Sequence, residues 1–274
     1  LGLSACKFEA PSRPGPALTI FGGVHGNELV GIAVVERLLE AMAEVSKVKS
    51  RGGRAVMRGS LTLAIGNPAA VARGTRGATD HADLNRRFGE FELAEQEEQP
   101  ELMDGAAERE RAAMLAPLLE ATDILIDLHA TNKPSPPFIR VAGPFEDRHA
   151  AVCSHFLGQD RCSKLVLDPN HVLAGRPVTT DEFVGKHGGV GICYETGQAA
   201  DMRCVDIVLG SVQRLLQAEL DLDLSQFLDY DDATFPSSSS APSNIEVFEM
   251  VEAVELKDEG FQWYPGCGTD NFNE

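Results

Sequence analysis

Positive charge is scarce in this 274-residue sequence: 24 Lys and Arg face 42 Asp and Glu, a formal charge of −18. Nucleic acid and anionic membrane surfaces would repel such a chain unless a strong local basic patch intervened, so neither is an expected partner. An anionic small molecule would have to be held by positive charge placed locally. No apolar run approaches the ~18 residues of a membrane span, and the first residues lack the basic-then-apolar pattern of a secretory signal. A cytosolic protein is the expectation. Paired cysteines are missing too: Cys6, Cys153, Cys162, Cys193, Cys204 and Cys267 are scattered. They form neither a dense disulfide framework nor a Cys-x-x-Cys zinc site, and buried thiols are expected. The Gly-x-Ser-x-Gly elbow is absent, which argues against a serine hydrolase. The chain opens on Leu1 rather than Met, as a processed chain or a fragment would.

What is present is a strand, a glycine-rich loop and a helix in succession. Ala17-Leu18-Thr19-Ile20-Phe21 is an apolar run suited to a buried strand, and Ile32, Val35, Leu39 and Met42 recur at helical spacing after it. Between them, Gly22-Gly23-Val24-His25-Gly26-Asn27-Glu28 places an imidazole and a carboxylate three residues apart at a strand's carboxyl end. In open α/β sheets ligands bind at that edge. A catalytic zinc takes three protein ligands, two His and one Glu being a common set, and keeps a fourth position open to water. The same loop also reads as a tight turn with an incidental His and Glu. A phosphate loop is disfavoured, because neither a Lys-Ser/Thr ending nor the spaced-glycine dinucleotide pattern occurs.

His129 is the best-placed second histidine, since it ends the run Ile124-Leu125-Ile126-Asp127-Leu128-His129, read as a buried strand. Strand alternation puts Asp127 on its face, where a carboxylate could hold the imidazole's other nitrogen. The remaining histidines, His81, His149, His155, His171 and His187, read as surface or packing residues. Leu61-Thr62-Leu63-Ala64-Ile65 is another strand, ending at the turn signal Gly66-Asn67-Pro68. Repeated strand-helix alternation favours an α/β sheet with helices on both faces. A turn is expected over Lys47 to Gly59, a helix over Ala106 to Ala121, another over Asp147 to Leu157, and one opened by Thr180 or Asp181 as its cap. Arg73, Arg76, Arg86 and Arg87 make a basic island whose bland reading is pairing with the acidic stretch from Glu90 to Glu110. Glu195 closes the run Val190-Gly191-Ile192-Cys193-Tyr194 as an acid at a strand end, or else caps the helix carrying Val205, Val208, Leu209 and Val212.

With Gly23-Val24-His25-Gly26-Asn27-Glu28, Asp83-Leu84-Asn85-Arg86-Arg87-Phe88, Asp127-Leu128-His129 and Glu195-Thr196-Gly197 in this order, residues 17 to 218 resemble the aspartoacylase and succinylglutamate desuccinylase family. The resemblance implies a zinc-carboxypeptidase-like mixed sheet flanked by helices, with a short β-rich C-terminal appendage. It implies one zinc ion per chain on His25, Glu28 and His129, and Glu195 as general base. Asn85 and Arg86 would grip the substrate's carboxylate, and Arg76 would polarise the scissile carbonyl, with Arg73 the alternative. Near Thr179 to Val184 aspartoacylases supply a further substrate-binding arginine that has no counterpart here, and Tyr264 is the one candidate for their pocket tyrosine.

Thr234-Phe235-Pro236, four serines, Ala241 and Pro242 read as a linker. The expected division is a catalytic domain over 1–228, a linker over 229–243 and a short or truncated β-rich region over 244–274. The implied activity is zinc-dependent cleavage of an N-acyl amino acid to a carboxylate and a free amino acid. Succinylglutamate desuccinylase and peptide carboxypeptidase activities are the alternatives, and an inactive metal- or ligand-binding protein is the alternative from another class. Homo-oligomers are compatible with the sequence.

Overall fold

The computed structural model describes residues 4–50, 57–89, 105–158, 162–172, 174–228 and 245–253. Its centre is an eight-stranded sheet, formed by β1 (Ala5–Glu9), β2 (Ala17–Gly22), β3 (Ser60–Ile65), β4 (Ile124–Thr131), β5 (Phe138–Ala142), β6 (Lys164–Asp168), β7 (Val190–Gln198) and β8 (Glu246–Glu249). The strands lie in the order β1-β3-β2-β4-β7-β5-β6-β8. Pairing is parallel except where β1 meets β3 and β5 meets β7. Because the chain leaves β2 for β3 on one side and returns to β4 on the other, the ends of β2 and β4 flank a topological switch point. A crevice forms there in open sheets.

Helices cover both faces, as the strand-helix alternation predicts. Strand side chains alternate between them: Leu18, Ile20, Ile126, Leu128 and Ile192 pack with α1 (Leu29–Ser50) and α6 (Cys204–Leu220). Phe21, Leu125 and Ala64 pack with α3 (Ala106–Glu120) and α5 (Thr180–Lys186). The helix α3 runs through Pro117 as expected.

Several boundaries differ from the sequence reading. Lys47 to Ser50, read as turn, continue α1. Gly66-Asn67-Pro68 leads into a short helix, α2 (Pro68–Arg73), with Pro68 in its first turn and the Asn67 side chain accepting from the Ala70 N–H; proline fits this place because its missing N–H has no partner there in any case. The cap of α5 is Thr179, neither Thr180 nor Asp181, in a reciprocal box with Glu182. The helix α4 (Asp147–Cys153) stops before Leu157. The strands β4 and β7 run on past His129 and Glu195, with a register irregularity between His129 and Thr131. The next helix starts only at Cys204, so Glu195 caps nothing. The strand β8 pairs with β6 and so joins the main sheet. The expected linker, the acidic stretch 90–104 and Tyr264 lie outside the described residues.

Candidate active site

The loop after β2 turns sharply into α1. Gly23 takes φ 66°, a left-handed conformation that glycine adopts without strain. A Cβ on Gly26 would fall 2.0 Å from the Ala70 backbone, so this loop packs on α2 only with glycine there. The result carries His25 and Glu28 to the carboxyl end of β2, beside His129 on β4, all three buried. One ligand atom from each of the three lies within 4.8 Å of the others.

The two rings are held alike. His25 Nδ1 is 2.8 Å from Glu28 Oε1, and His129 Nδ1 is 3.0 Å from Glu28 Oε2 and 3.2 Å from His25 Nδ1. Their Nε2 atoms face other acids, Asp83 Oδ1 at 3.0 Å from His25 and Asp127 Oδ2 at 2.9 Å from His129. Each imidazole thus turns Nδ1 to the common centre while an acid fixes its far side, as outer acids do for metal-bound histidines. Thr180 Oγ1 donates to Asp127 and holds it in turn. Burial works to raise Glu28, yet His129 and His25 keep it ionised, down at about 2. Burial likewise opposes a charge on His129, but Asp127 and Glu28 raise it well above the usual imidazole range. Glu28 is therefore a buried carboxylate around which positive charge gathers. Two nitrogens and a carboxylate with this spacing fit zinc.

Glu195 stands beside His129 in the β4–β7 register. Burial pushes its carboxyl up to about 7, His129 pulling it down and Glu28 pushing it further up. Its Oε2 is buried with no hydrogen-bond partner among the described residues. His25, Glu28, His129 and Glu195 line one cavity of about 390 Å³.

The basic island divides. Arg76 lines this cavity, with Nε and one terminal nitrogen donating to Asp83 Oδ2 at 3.1 and 2.8 Å. Arg73 points elsewhere, to exposed Asp80 at 2.9 Å. Arg87 lies against Gly105. Arg86 lines the cavity and donates to the Asn85 carbonyl. Asn85 lines it too; its amide nitrogen is 3.2 Å from His129 Nε2 and its Oδ1 accepts from the Thr180 N–H. The proline-stiffened loop after β4 contributes Asn132 and Lys133 to the mouth.

Two wall residues escaped the sequence reading. Arg140 and Cys193 face the cavity as cross-strand neighbours on β5 and β7. The available signal was an arginine inside the apolar run Phe138-Ile139-Arg140-Val141, which a buried strand admits only with acidic partners.

A family model for the succinylglutamate desuccinylase/aspartoacylase catalytic domain matches residues 14–217. A human N-acyl-aromatic-L-amino acid amidohydrolase (carboxylate-forming) is 30% identical over 129 residues, 46% of this chain and 37% of that protein. A succinylglutamate desuccinylase of Erwinia tasmaniensis is 34% identical over 73 residues, 27% of this chain and 19% of that one. The matched stretches therefore span well under two thirds of these relatives. Among solved structures, a succinylglutamate desuccinylase of Vibrio parahaemolyticus shares the fold with a TM-score of 0.62 at 14% identity, over 94% of this chain and 70% of that one.

Proposed function

We propose that this chain, which belongs to the succinylglutamate desuccinylase/aspartoacylase family, hydrolyses the amide bond of an N-acyl amino acid with one zinc ion held by His25, Glu28 and His129. The observation that carries this is the convergence of those three ligands with Glu195 in one cavity. Zinc bound there supplies Lewis acidity toward water and toward the scissile carbonyl.

The chain's own residues do the rest. Glu195, raised to about 7 by burial, is poised to take a proton from the attacking water near neutral pH. It then returns that proton to the amine nitrogen as the carbon–nitrogen bond breaks, and the water's second proton leaves on the amine, so a carboxylate and an ammonium depart with Glu195 restored as a carboxylate. Arg76 is anchored by Asp83 with one terminal nitrogen uncommitted to it, a donor for the developing oxyanion. Arg86, a planar fork at the mouth, binds the α-carboxylate, and Asn85, anchored by accepting from the Thr180 N–H, lines the cavity to share that grip. Asp127 and Asp83 hold the two imidazoles in orientation.

The test is a panel of N-acetyl amino acids and C-terminal dipeptides, with metal content measured on the same preparation. Hydrolysis of the acyl amino acids at stoichiometric zinc is expected. Cleavage of the dipeptides alone would reassign the chain as a peptidase, and stoichiometric zinc without any turnover as a binding protein.

A further inference from the structure

Arg140 sits directly across from Cys193 and two residues below Glu195 on the same face of the sheet, so it forms the wall just beneath the proposed base. It is a cation already spoken for. One terminal nitrogen donates to Asp168 Oδ2 and Glu182 Oε1, each at 2.7 Å, and the other to Asp181 Oδ2 at 3.3 Å. Its Nε is buried without an acceptor among the described residues. All three acids are themselves pinned: Glu182 Oε2 accepts from the Val178 and Thr179 N–H groups, Asp168 Oδ1 from the Val172 N–H, and Asp181 Oδ1 from Thr179 Oγ1. The clamp cannot easily turn away to release the guanidinium.

Charge counting then fixes what the wall tolerates. Burial works to raise Glu182, but the Val178 N–H, Arg140 and the Thr179 N–H hold it ionised, down at about 2. Burial raises Asp181, so the most positive reading leaves it protonated. Arg140 then faces two negative charges, Asp168 and Glu182. Even a proton on His171, whose Nδ1 lies 3.2 Å from Glu182 Oε1, brings the group only to neutrality. The mouth is different: Arg86 donates to the Asn85 carbonyl and meets a carboxylate, Asp83, only through the field it shares with Arg76, and Lys133 lines the same rim. One carboxylate is thus attracted at the rim, and a second anion directed inward meets a wall with no net positive charge.

We infer that this wall selects N-acyl amino acids carrying a single carboxylate, with an uncharged group facing Cys193 and Thr179, and disfavours N-acylaspartates and N-succinyl amino acids. The inference rests on the proposed function and names the substrate class of that site. Bringing an anion against an uncompensated acidic wall is the kind of mismatch by which sites reject a competitor.

The zinc-loaded chain is assayed with N-acetyl-L-leucine, N-acetyl-L-aspartate and N-succinyl-L-glutamate. The expected kcat/KM for the leucine compound exceeds both others by at least about tenfold. The double variant Asp168→Asn with Glu182→Gln removes two of the three acids around Arg140, raising the wall's charge by two, and should shift the leucine-to-aspartate ratio about tenfold toward aspartate. Wild-type turnover of either polyanionic compound at or above that of leucine overturns the inference, whether or not the double variant folds; so does an unchanged ratio in a folded variant. If none of the three is hydrolysed the proposed function fails. Calorimetric binding then decides the wall's role separately: tighter N-acetyl-L-leucine supports it, and tighter N-acetyl-L-aspartate overturns it.

Discussion

Two buried ionic clusters share one face of the sheet, and they differ in where their positive charge comes from. Around Arg140, Asp168, Asp181 and Glu182 surround a guanidinium that the chain itself provides. Around Glu28, two imidazole nitrogens and a carboxylate converge, and the nearest guanidinium, that of Arg76, stands 3.8 Å off and is hydrogen-bonded to Asp83 instead. The first cluster is complete when folded, whereas the second turns three ligand atoms toward one point and could hold a metal ion there. Composition does not separate them, because both are acidic residues packed with basic ones inside an acidic protein. Which group stands in the middle separates them.

The sharpest way to break the comparison is to remove a ligand from the open cluster. His129→Ala should abolish stoichiometric zinc, measured by atomic absorption on dialysed protein, and take activity below detection. Retained zinc with full activity would move the metal elsewhere. Glu195→Gln should keep zinc and lose about 100-fold or more in kcat, since the amide takes no proton from water. Near-normal turnover in the metallated variant would leave Glu195 without a catalytic part.

The closed cluster should answer in stability instead. Arg140→Met strands buried acids without their cation, and a loss of about 3–5 kcal/mol is expected in denaturant unfolding. A loss below about 1 kcal/mol would mean that the acids are relieved in some other way. Glu182 sharpens the point on a pH axis. Its carboxyl is held at about 2 against an ordinary 4.5, so its contribution to stability is present above pH 4.5 and drains away as pH falls toward 2. That contribution is on the order of 3 kcal/mol. Glu182→Gln should therefore be less stable at neutral pH and show a flatter acid limb over that interval; parallel limbs would exclude a depressed carboxyl. The smallest effect belongs to the mouth. Arg86→Lys keeps the charge but loses the bidentate fork, so KM should rise about tenfold with a smaller fall in kcat. Amidating the substrate's carboxylate should cost the wild type much more than the variant, and equal losses would free Arg86 from that role.

The open cluster was far more legible in the sequence than the closed one. His25, Glu28 and His129 stand next to apolar runs short enough to read as strands, and a strand end is where function collects. Arg140 lies in mid-strand and its acids come from β6 and α5, so only the tertiary fold brings them together. Other misses were local. The spacing Thr179-x-x-Glu182 already spelled a capping box, and Asn67-Pro68 spelled a helix start. The true ends of β4 and β7 were not legible, because each strand is prolonged by its pairing with the other.

That pairing has a consequence for how such a site can diversify. His129 and Glu195 occupy one rung of the β4–β7 ladder, and neighbouring strands keep a separation of about 4.8 Å set by backbone hydrogen bonds. The sheet thus acts as a fixed ruler between His129 and Glu195, independent of the loops around the mouth. Insertions or replacements over 132–137 can reshape what enters without changing the spacing of His129 and Glu195.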